Sequence, residues 1–312
     1  MNEQLKEQQL GVIAAIAAYL IWGVLPLFWK LLDGVSSGEV LAHRMIWSLV
    51  FMLIVLYLMG RLKQVLEDIR VTFSNLKSAI AITLASVFIS VNWFVFIYAV
   101  NHDKVVEASL GYYINPLVNV LLATIFLKER LSRWEVVSFF FALIGVLYMT
   151  IHYGSIPWAA FFLAGSFGVY GLIKKMTKLG AWSGLTIETL IMTPCAFVYL
   201  FFIHGSGNGA FVAGGLNPTL LLIGAGAATA IPLLLFATGA KRISFSLIGF
   251  LQYIGPTIML FLGIFLFNEP FSQVQFISFT LIWIALIIFS TSRSLHNVKK
   301  NRNNHQLQKD AS

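Results

Sequence analysis

Long apolar segments, separated from one another by short polar stretches, recur along the whole chain. A helix needs about 20 apolar residues to cross a hydrocarbon core of about 30 Å. Backbone groups in lipid must be hydrogen-bonded within their own segment, and the alternating pattern of a β-barrel is absent, so the segments predict membrane-spanning helices. There are ten of them, approximately Leu10–Leu32, Val40–Met59, Ala79–Val100, Val105–Leu127, Trp134–Ile151, Pro157–Ile173, Leu185–Phe202, Thr219–Ala240, Ile243–Phe267 and Val274–Phe289.

A different pattern lies between the second and third segments, at residues 60–78. Apolar residues recur there at helical spacing among charged ones: Leu62, Val65, Leu66, Ile69, Phe73 and Leu76. This predicts an amphipathic helix lying at the cytoplasmic membrane interface. An ordinary solvated loop helix is the alternative.

Composition supports a lipid environment. Of the 312 residues, 58% are hydrophobic and 11% are charged, and the mean hydropathy is +0.83. A soluble domain carries about a quarter charged residues, so soluble enzymes, nucleic-acid-binding proteins and disordered scaffolds are excluded. The net charge of +8 does not indicate a nucleic-acid partner, because Lys and Arg lie in small groups between apolar segments. The single cysteine, Cys195, excludes an intramolecular disulfide and a cysteine-based metal cluster.

The basic residues predict the orientation in the membrane. With the N-terminus in the cytoplasm, eighteen of the 21 Lys and Arg residues fall on the cytoplasmic side, and the exceptions are Lys30, Arg44 and Lys104. Positive charge in short loops is retained on that side. Both termini are therefore expected to be cytoplasmic, and the Gly-rich stretch at 205–215 is expected to be external.

An internal repeat predicts the architecture. Shifting the chain by 140 residues places Tyr113, Ile114 and Pro116 on Tyr253, Ile254 and Pro256, and Glu129 on Glu269. Each half would hold five spanning helices, and an odd number gives the halves opposite orientations. The expected organisation is a first repeat at 1–151, an inverted second repeat at 152–293 and a basic cytoplasmic tail at 294–312. Inverted repeats are typical of secondary transporters, whose substrate site lies near the midplane between the repeats.

Ionisable and polar groups inside the apolar segments are the candidate site residues, because each carries a cost in lipid. His43 and Arg44 lie in the second segment, where Arg44 is predicted about two turns deep. It could anchor an anionic or carboxylate solute, or it could form a structural ion pair with Glu39 or Glu107. Glu188, in the seventh segment, is either a protonatable coupling group or a side chain that extends to the interface.

The other candidates are polar or aromatic. Asn92 and Trp93 offer hydrogen bonding and a stacking face, or a helix-to-helix hydrogen bond. Pro116 and Pro256 interrupt corresponding segments, and paired interrupted helices indicate a central site; static kinks are the alternative. The neighbouring candidates are Tyr112, Tyr113, Asn115, Gln252 and Tyr253.

These motifs together resemble one family. They are Trp22-Gly23, Pro26–Lys30, Glu39, Ala42-His43-Arg44, Trp47-Ser48, Asn92-Trp93, Ala99–His102, Glu107–Pro116, Glu129-Arg130-Leu131, Glu188, Pro232-Leu233, Gln252–Thr257 and Asn268-Glu269-Pro270. The chain resembles the RarD-type permeases of the EamA branch of the drug/metabolite transporter superfamily, with Phe28 where Tyr is expected.

The resemblance implies ten helices in two inverted five-helix halves, a bacterial inner-membrane location and transport of a small organic solute, metabolite or drug-like compound. The expected partners are that solute and the lipid bilayer, with no nucleic acid, metal or cofactor. An intramembrane enzyme and a non-transporting membrane scaffold are the alternatives. The chain lacks a motif such as H-E-x-x-H, so we expect no enzymatic activity.

Overall fold

The computed structural model describes residues 2–32, 34–101, 105–152, 154, 156–266 and 271–309, excluding the side chains of 2, 4, 97, 100, 101, 105–109 and 293–309. Within these ranges the chain is all-helical, so the predicted all-α class is confirmed. The helices are α1 Asn2–Lys30, α2 Ser37–Leu58, α3 Leu62–Ser74, α4 Leu76–Asn101, α5 Val105–Phe126, α6 Arg133–His152, α7 Trp158–Met176, α8 Ala181–Gly205, α9 Leu216–Arg242, α10 Phe245–Gln252, α11 Ile254–Phe265 and α12 Gln273–Lys309.

Eight helical spans in the described residues are long and apolar enough to cross a membrane: α1, α2, α4, α6, α8, α9, the α10–α11 pair and the first part of α12. The outward surface is also apolar, and Leu58, Phe201 and Phe265 are each more than 75% exposed. Such a surface is stable only against lipid or a partner. The chain is therefore a multi-pass membrane protein. Ten spans remain a prediction, which requires that α5 and α7 also cross the membrane.

The two predicted helix interruptions differ from each other. α5 continues through Pro116, so the predicted break there is absent. The ninth segment is divided at Tyr253 into α10 and α11, just before Gly255-Pro256. A proline removes one backbone donor and leaves the carbonyl four residues earlier without its helical partner. The carbonyls concerned are those of Tyr112 and Gln252.

Polar residues at helix starts fix where several elements begin. Ser132 and Glu135 form a reciprocal capping box at α6, in which the Ser132 N–H donates to Glu135 at 2.7 Å. Ser272 and Gln275 form the same arrangement at α12, with the Ser272 N–H donating at 2.9 Å. Each box satisfies amides that have no acceptor within the helix. The amphipathic stretch forms α3, as a separate helix with Val65 buried.

The helices of the two chain halves are interleaved. α9 packs on α1 and α2, α7 packs on α4 and α5, and α6 packs on α12. At one end of the bundle, where α1 begins, Glu7 forms an ion pair with Arg242 of α9 at 2.8 Å. We call this the Glu129 end, because Glu129 lies there too. At the opposite end, called the Glu39 end, Glu39 accepts hydrogen bonds from the N–H groups of Ala210 and Phe211 at 2.8 to 2.9 Å.

Candidate functional site

A cavity of about 360 Å³ lies between helices of both halves. Trp29 precedes the last residue of α1, and Arg44 lies seven residues after the first residue of α2. Both helix ends are at the Glu39 end, so the cavity lies on that side of the bundle. Its lining is Tyr19, Trp22, Leu25, Pro26, Trp29, Arg44, Asn92, Trp93, Phe96, Gly111, Tyr112, Asn115, Leu163, Phe167, Thr229, Leu233, Gln252, Gly255, Pro256, Met259, Leu262 and Gly263.

The structure brings six of the ten candidate site residues to this cavity, together with Pro256. They come from α2, α4, α5 and α10, and they are Arg44, Asn92, Trp93, Tyr112, Asn115 and Gln252. The cavity therefore collects polar groups that are distant in sequence and lie in both halves of the chain. A concave, mostly apolar site with a few convergent polar groups is the usual form of a small-molecule site.

Arg44 is held by its neighbours in a fixed orientation. The guanidinium carbon lies 4.6 Å from the ring centroid of Trp29 and 4.8 Å from that of Trp93. Its Nε donates to the Thr229 hydroxyl at 3.0 Å. Contacts of a cation with aromatic rings at this distance are attractive and become stronger out of water. The charge is therefore stabilised partly by aromatic rings from α1 and α4.

The structure does not form the alternative ion pair between Arg44 and Glu39. Both carboxylate oxygens of Glu39 accept backbone hydrogen bonds from Ala210 and Phe211. Glu107 was the other predicted partner, and its side chain lies outside the described residues. Among the described side chains, no carboxylate lies within the 4.0 Å of an ion pair with Arg44.

Three carboxamides line the cavity and differ in their hydrogen bonding. Asn92 donates to the Leu163 carbonyl at 2.8 Å and to the Ser166 hydroxyl at 3.0 Å, and thereby joins α4 to α7. Gln252 accepts from Asn119 at 2.7 Å. Asn115 is 4% exposed, and its Oδ1 has no hydrogen-bond partner in the described structure. A buried acceptor without a partner carries a desolvation cost that a bound donor would remove.

Two of the other candidates turn away from the cavity because adjacent helical residues point about 100° apart. His43 stacks on Phe211 with ring centroids 4.5 Å apart, and its Nδ1 accepts from Trp47 at 3.2 Å. Tyr113 packs edge-on against Phe279 at 5.0 Å. Both residues therefore contribute to helix packing rather than to the cavity surface.

Pro116 and Tyr253 also lie outside the cavity lining. Tyr253 is buried between α10 and α11, and its hydroxyl has no partner in the described structure. Pro116 lies at a close helix crossing, where a Cβ added to Gly249 would come within 2.8 Å of the Pro116 carbonyl oxygen. Pro116 is thus part of the packing of α5 on α10.

Glu188 forms a buried ion pair outside the cavity. Its Oε1 lies 2.7 Å from the Lys174 ammonium, and its Oε2 accepts from the Tyr170 hydroxyl at 3.1 Å. Both charged side chains are 3% exposed, so Glu188 does not extend to the surface. Trp93 and Leu233 line both the central cavity and a small void beside Glu188. The ion pair is therefore separated from the cavity by about one layer of side chains.

Glu129 connects the two halves at the Glu129 end. Its carboxylate accepts from the N–H groups of Phe245 and Ser246 at 2.7 and 3.0 Å, and from the Ser246 hydroxyl at 2.8 Å. The chain is turned toward α10 by Lys128, whose φ of 54° is left-handed, while the Glu129 N–H donates to the Ala123 carbonyl at 3.1 Å. This hydrogen bond is typical of a helix C-terminus. The end of α5 therefore positions Glu129 on the first residues of α10. Glu269, the repeat partner of Glu129, lies outside the described residues.

Several cavity residues were not among the sequence candidates. Trp22, Trp29, Phe96 and Phe167 supply much of the apolar surface, and Thr229 binds Arg44. Aromatic residues in an apolar segment look like any other core or lipid-facing residues, and Thr229 lies in a run of small residues. Only the Trp22 and Trp29 motifs gave a signal, through the resemblance. Among the described residues, no group of three or more His, Cys, Asp and Glu side chains could hold a metal.

The fold and the cavity define the class of the protein: it is a helical multi-pass membrane protein with a cavity large enough for a small molecule. A solved crystal structure 18% identical in sequence shares this fold with a TM-score of 0.69, covering 89% of this chain and 96% of that one. Residues 9–151 match the EamA-like transporter family. The uncharacterized transporter YojE of Bacillus subtilis is 47% identical over 92% of this chain and 95% of its own. Protein RarD of Escherichia coli is 40% identical over 91% of this chain and 95% of its own.

The chain belongs to the EamA-like transporter family, in its RarD-type branch. It is therefore a membrane transporter, and the relatives cited are bacterial proteins. The family resemblance predicted from the sequence motifs is confirmed.

Proposed function

We propose that the chain is a secondary transporter that moves a small organic solute across the bacterial inner membrane by alternating access. The observation that carries this proposal is the position of the cavity, which is enclosed by helices from both chain halves. In secondary transporters the substrate site lies between two repeats that move relative to each other. A scaffold role does not use such a site, and the transporter family of the chain favours transport over catalysis.

The packing pattern supports the two inverted five-helix repeats. If α1, α2, α4, α5 and α6 correspond to α7, α8, α9, α10–α11 and α12, the observed helix pairs map onto each other when the halves are exchanged. The pair α1–α9 corresponds to α4–α7, and α2–α9 corresponds to α4–α8. The pairs α2–α8, α5–α10 and α6–α12 map onto themselves. The capping boxes at Ser132 and Ser272 are likewise 140 residues apart.

The contacts between the halves at the Glu129 end support an orientation of the protein in the membrane and a conformational state. Glu129, Glu7 and Asp68 of the first half each contact the second half at the Glu129 end, through Phe245, Arg242 and Ser183. With this end and both termini in the cytoplasm, as the basic residues predict, these contacts and the position of the cavity toward the Glu39 end support a state that is closed toward the cytoplasm. Transport then requires these contacts to open.

The test is a reversible cross-link at the Glu129 end. In a Cys195→Ser background, Glu129→Cys combined with Ser246→Cys is treated with a short bifunctional thiol reagent after reconstitution into liposomes. We expect the cross-linked protein to lose solute exchange while solute still raises its melting temperature, because the binding cavity stays intact. Reductive cleavage should restore exchange.

The matched controls are the two single-cysteine variants treated with the same reagent. They should keep exchange, since neither can join the halves. Undiminished exchange by a fully cross-linked double variant would contradict alternating access. Release of a chemically altered solute would contradict transport in favour of catalysis.

A further inference from the structure

The orientation of Arg44 determines which part of its guanidinium a solute can reach. The rings of Trp29 and Trp93 lie 4.6 and 4.8 Å from the guanidinium carbon, and Nε is already bonded to Thr229. The described structure shows no protein acceptor for the terminal Nη groups. With Nε bonded to Thr229, the terminal Nη groups of this cavity-lining residue are the donors left for a ligand. Such a planar pair of N–H donors matches a carboxylate, which it binds through two hydrogen bonds.

The charges around the cavity favour an anion with a single charge. Arg44 is the only described lining residue with a formal charge. Two buried carboxylates of the described residues are already bonded, Glu39 to backbone amides and Glu188 to Lys174. A buried charge is stabilised when an opposite charge arrives with good geometry. One cation can neutralise a monoanion, whereas a dianion would leave a charge uncompensated.

The remaining cavity surface favours an aromatic body. Trp22 and Phe167 meet edge-on at 5.8 Å, and Phe96 and Tyr112 meet edge-on at 6.1 Å, all four on the lining. Aromatic rings prefer offset or edge-to-face contact with such surfaces. The volume of about 360 Å³ lies near the lower limit of ligand pockets, at about 300 Å³. It suits a solute with one or two rings.

We propose that the transported solute is a small aromatic monocarboxylate, with its carboxylate on the Nη edge of Arg44 and its ring among Trp22, Phe96 and Phe167. A hydroxyl or N–H group on the solute strengthens binding by donating to the free Oδ1 of Asn115. This inference rests on the proposed transport function, because it assigns the solute class of the same cavity.

The first test uses the unaltered protein and matched solutes. Melting of the purified protein is followed with phenylacetate, 4-hydroxyphenylacetate and indole-3-acetate, and with phenylacetamide, phenethylamine, cyclohexylacetate and phenyl phosphate. At a fixed concentration, a ligand that binds the folded state raises the melting temperature more the more tightly it binds. We expect the aromatic acids to bind at least tenfold more tightly than each of the comparison solutes. The two acids with a hydroxyl or ring N–H should bind more tightly than phenylacetate.

The second test assigns the contacts. Arg44→Lys should keep the protein folded and reduce the preference for acid over amide, because a lysine is a point charge without the two parallel donors. Asn115→Leu should weaken binding of 4-hydroxyphenylacetate more than binding of phenylacetate, and so abolish the advantage of the hydroxylated acid. Arg242→Lys, which alters an arginine outside the cavity, is the matched control and should change neither preference.

The outcomes separate this inference from the proposed function. Tightest binding and exchange of phenethylamine, phenylacetamide or phenyl phosphate would overturn the monocarboxylate assignment and leave the transport proposal standing. An equal preference for cyclohexylacetate would overturn the aromatic part. Failure of every solute class to bind or exchange would contradict both proposals.

Discussion

Charged side chains inside the helical bundle are stabilised in two different ways. Glu188 and Lys174 neutralise each other at 2.7 Å, and Tyr170 supplies a further hydrogen bond. The guanidinium carbon of Arg44 lies 4.6 and 4.8 Å from the ring centroids of Trp29 and Trp93, and no carboxylate lies within 4.0 Å of it among the described side chains. A paired charge is costly to separate, whereas a charge without a counterion can accept one from a ligand. The first arrangement is suited to holding helices together and the second to binding a solute.

Removal of one partner of the Lys174–Glu188 pair should therefore be strongly destabilising. Breaking a buried pair costs about 3–5 kcal/mol, whereas replacing both partners with apolar residues is often neutral. We expect Glu188→Gln to lower the free energy of unfolding, measured by titration with a denaturing detergent, by about that amount. Lys174→Met combined with Glu188→Leu should recover most of it.

The control is the more exposed pair of Glu7 and Arg242, whose side chains are 57% and 30% exposed. Glu7→Gln should change stability by about 1 kcal/mol or less, as is usual for surface pairs. If Glu188→Gln is as stable as the unaltered protein yet loses exchange, Glu188 is a coupling group rather than a structural one.

At the scale of elements, tight helix crossings depend on particular small residues. A Cβ added to Gly226 of α9 would lie 2.3 Å from the Trp47 backbone carbonyl carbon of α2. The Ser48 hydroxyl donates to the Gly226 carbonyl at 3.0 Å across the same crossing. The backbones can approach this closely only without a side chain between them. The close approach of α2 and α9 therefore depends on glycine, which has no Cβ, at position 226.

Gly226→Ala should accordingly separate α2 from α9 and destabilise the protein, by about 1–3 kcal/mol as for other overpacked cores. The measurement is the melting temperature of the purified variant. Gly224→Ala, two residues earlier on α9, is the matched control, because its added Cβ would meet nothing closer than Phe28 at 3.7 Å. Equal destabilisation of both variants would contradict the close-crossing explanation.

Pro116 and Pro256 each leave a backbone carbonyl of a cavity-lining residue without its helical hydrogen bond. Pro116 and Pro256 leave the carbonyls of Tyr112 and Gln252 without their helical donors, and both of these residues line the cavity. We expect Pro116→Ala and Pro256→Ala to fold and to reduce solute exchange more than they reduce the amount of inserted protein. Exchange per inserted molecule, measured in liposomes, is the relevant quantity. Equal losses of protein and exchange would support static kinks.

Hydropathy predicted the helices well, because a spanning helix must be apolar along its whole length. The prolines predicted interruptions at both Pro116 and Pro256. The structure divides the ninth segment at Tyr253, next to Pro256, but α5 continues through Pro116, since whether a proline interrupts a helix depends on the packing around it. The candidate residues were found by their polarity, which identified Arg44, Asn92 and Gln252. The aromatic walls were missed because an apolar residue carries no sign of whether it faces lipid, protein or solute. The neighbouring residues His43 and Tyr113 were included because polarity alone does not predict which side of a helix faces the cavity.

For the whole molecule, the interleaved packing makes the two halves interdependent. α9 lies between α1 and α2, and α7 lies between α4 and α5, so neither half has a closed core of its own. Buried residues from both halves form one continuous cluster that includes Ala18, Met52, Phe236 and Phe245. A relative movement of the halves must therefore be a rearrangement of helix contacts within one molecule rather than a separation of domains.

The predicted orientation can be measured by cysteine labelling in intact cells. In a Cys195→Ser background, single cysteines at Arg130 and Asn301 should be protected from an impermeant thiol reagent, and one at Asn208 should react. The reason is that eighteen of 21 basic residues fall on the side that holds both termini. Permeabilised cells provide the control for reactivity. Labelling at Asn301 from outside would contradict the orientation.

The short helix α10 has a consequence for how the cavity and the far end of the bundle communicate. It contains eight residues, which corresponds to a rigid rod about 12 Å long. Glu129 holds its first two amides, and its last residue, Gln252, lines the cavity. A rod this short tilts as a unit, so displacement at one tip shifts the other. Linkage is reciprocal: if a solute that displaces Gln252 changes the strength of the Glu129 contact, opening that contact changes solute affinity by the same factor.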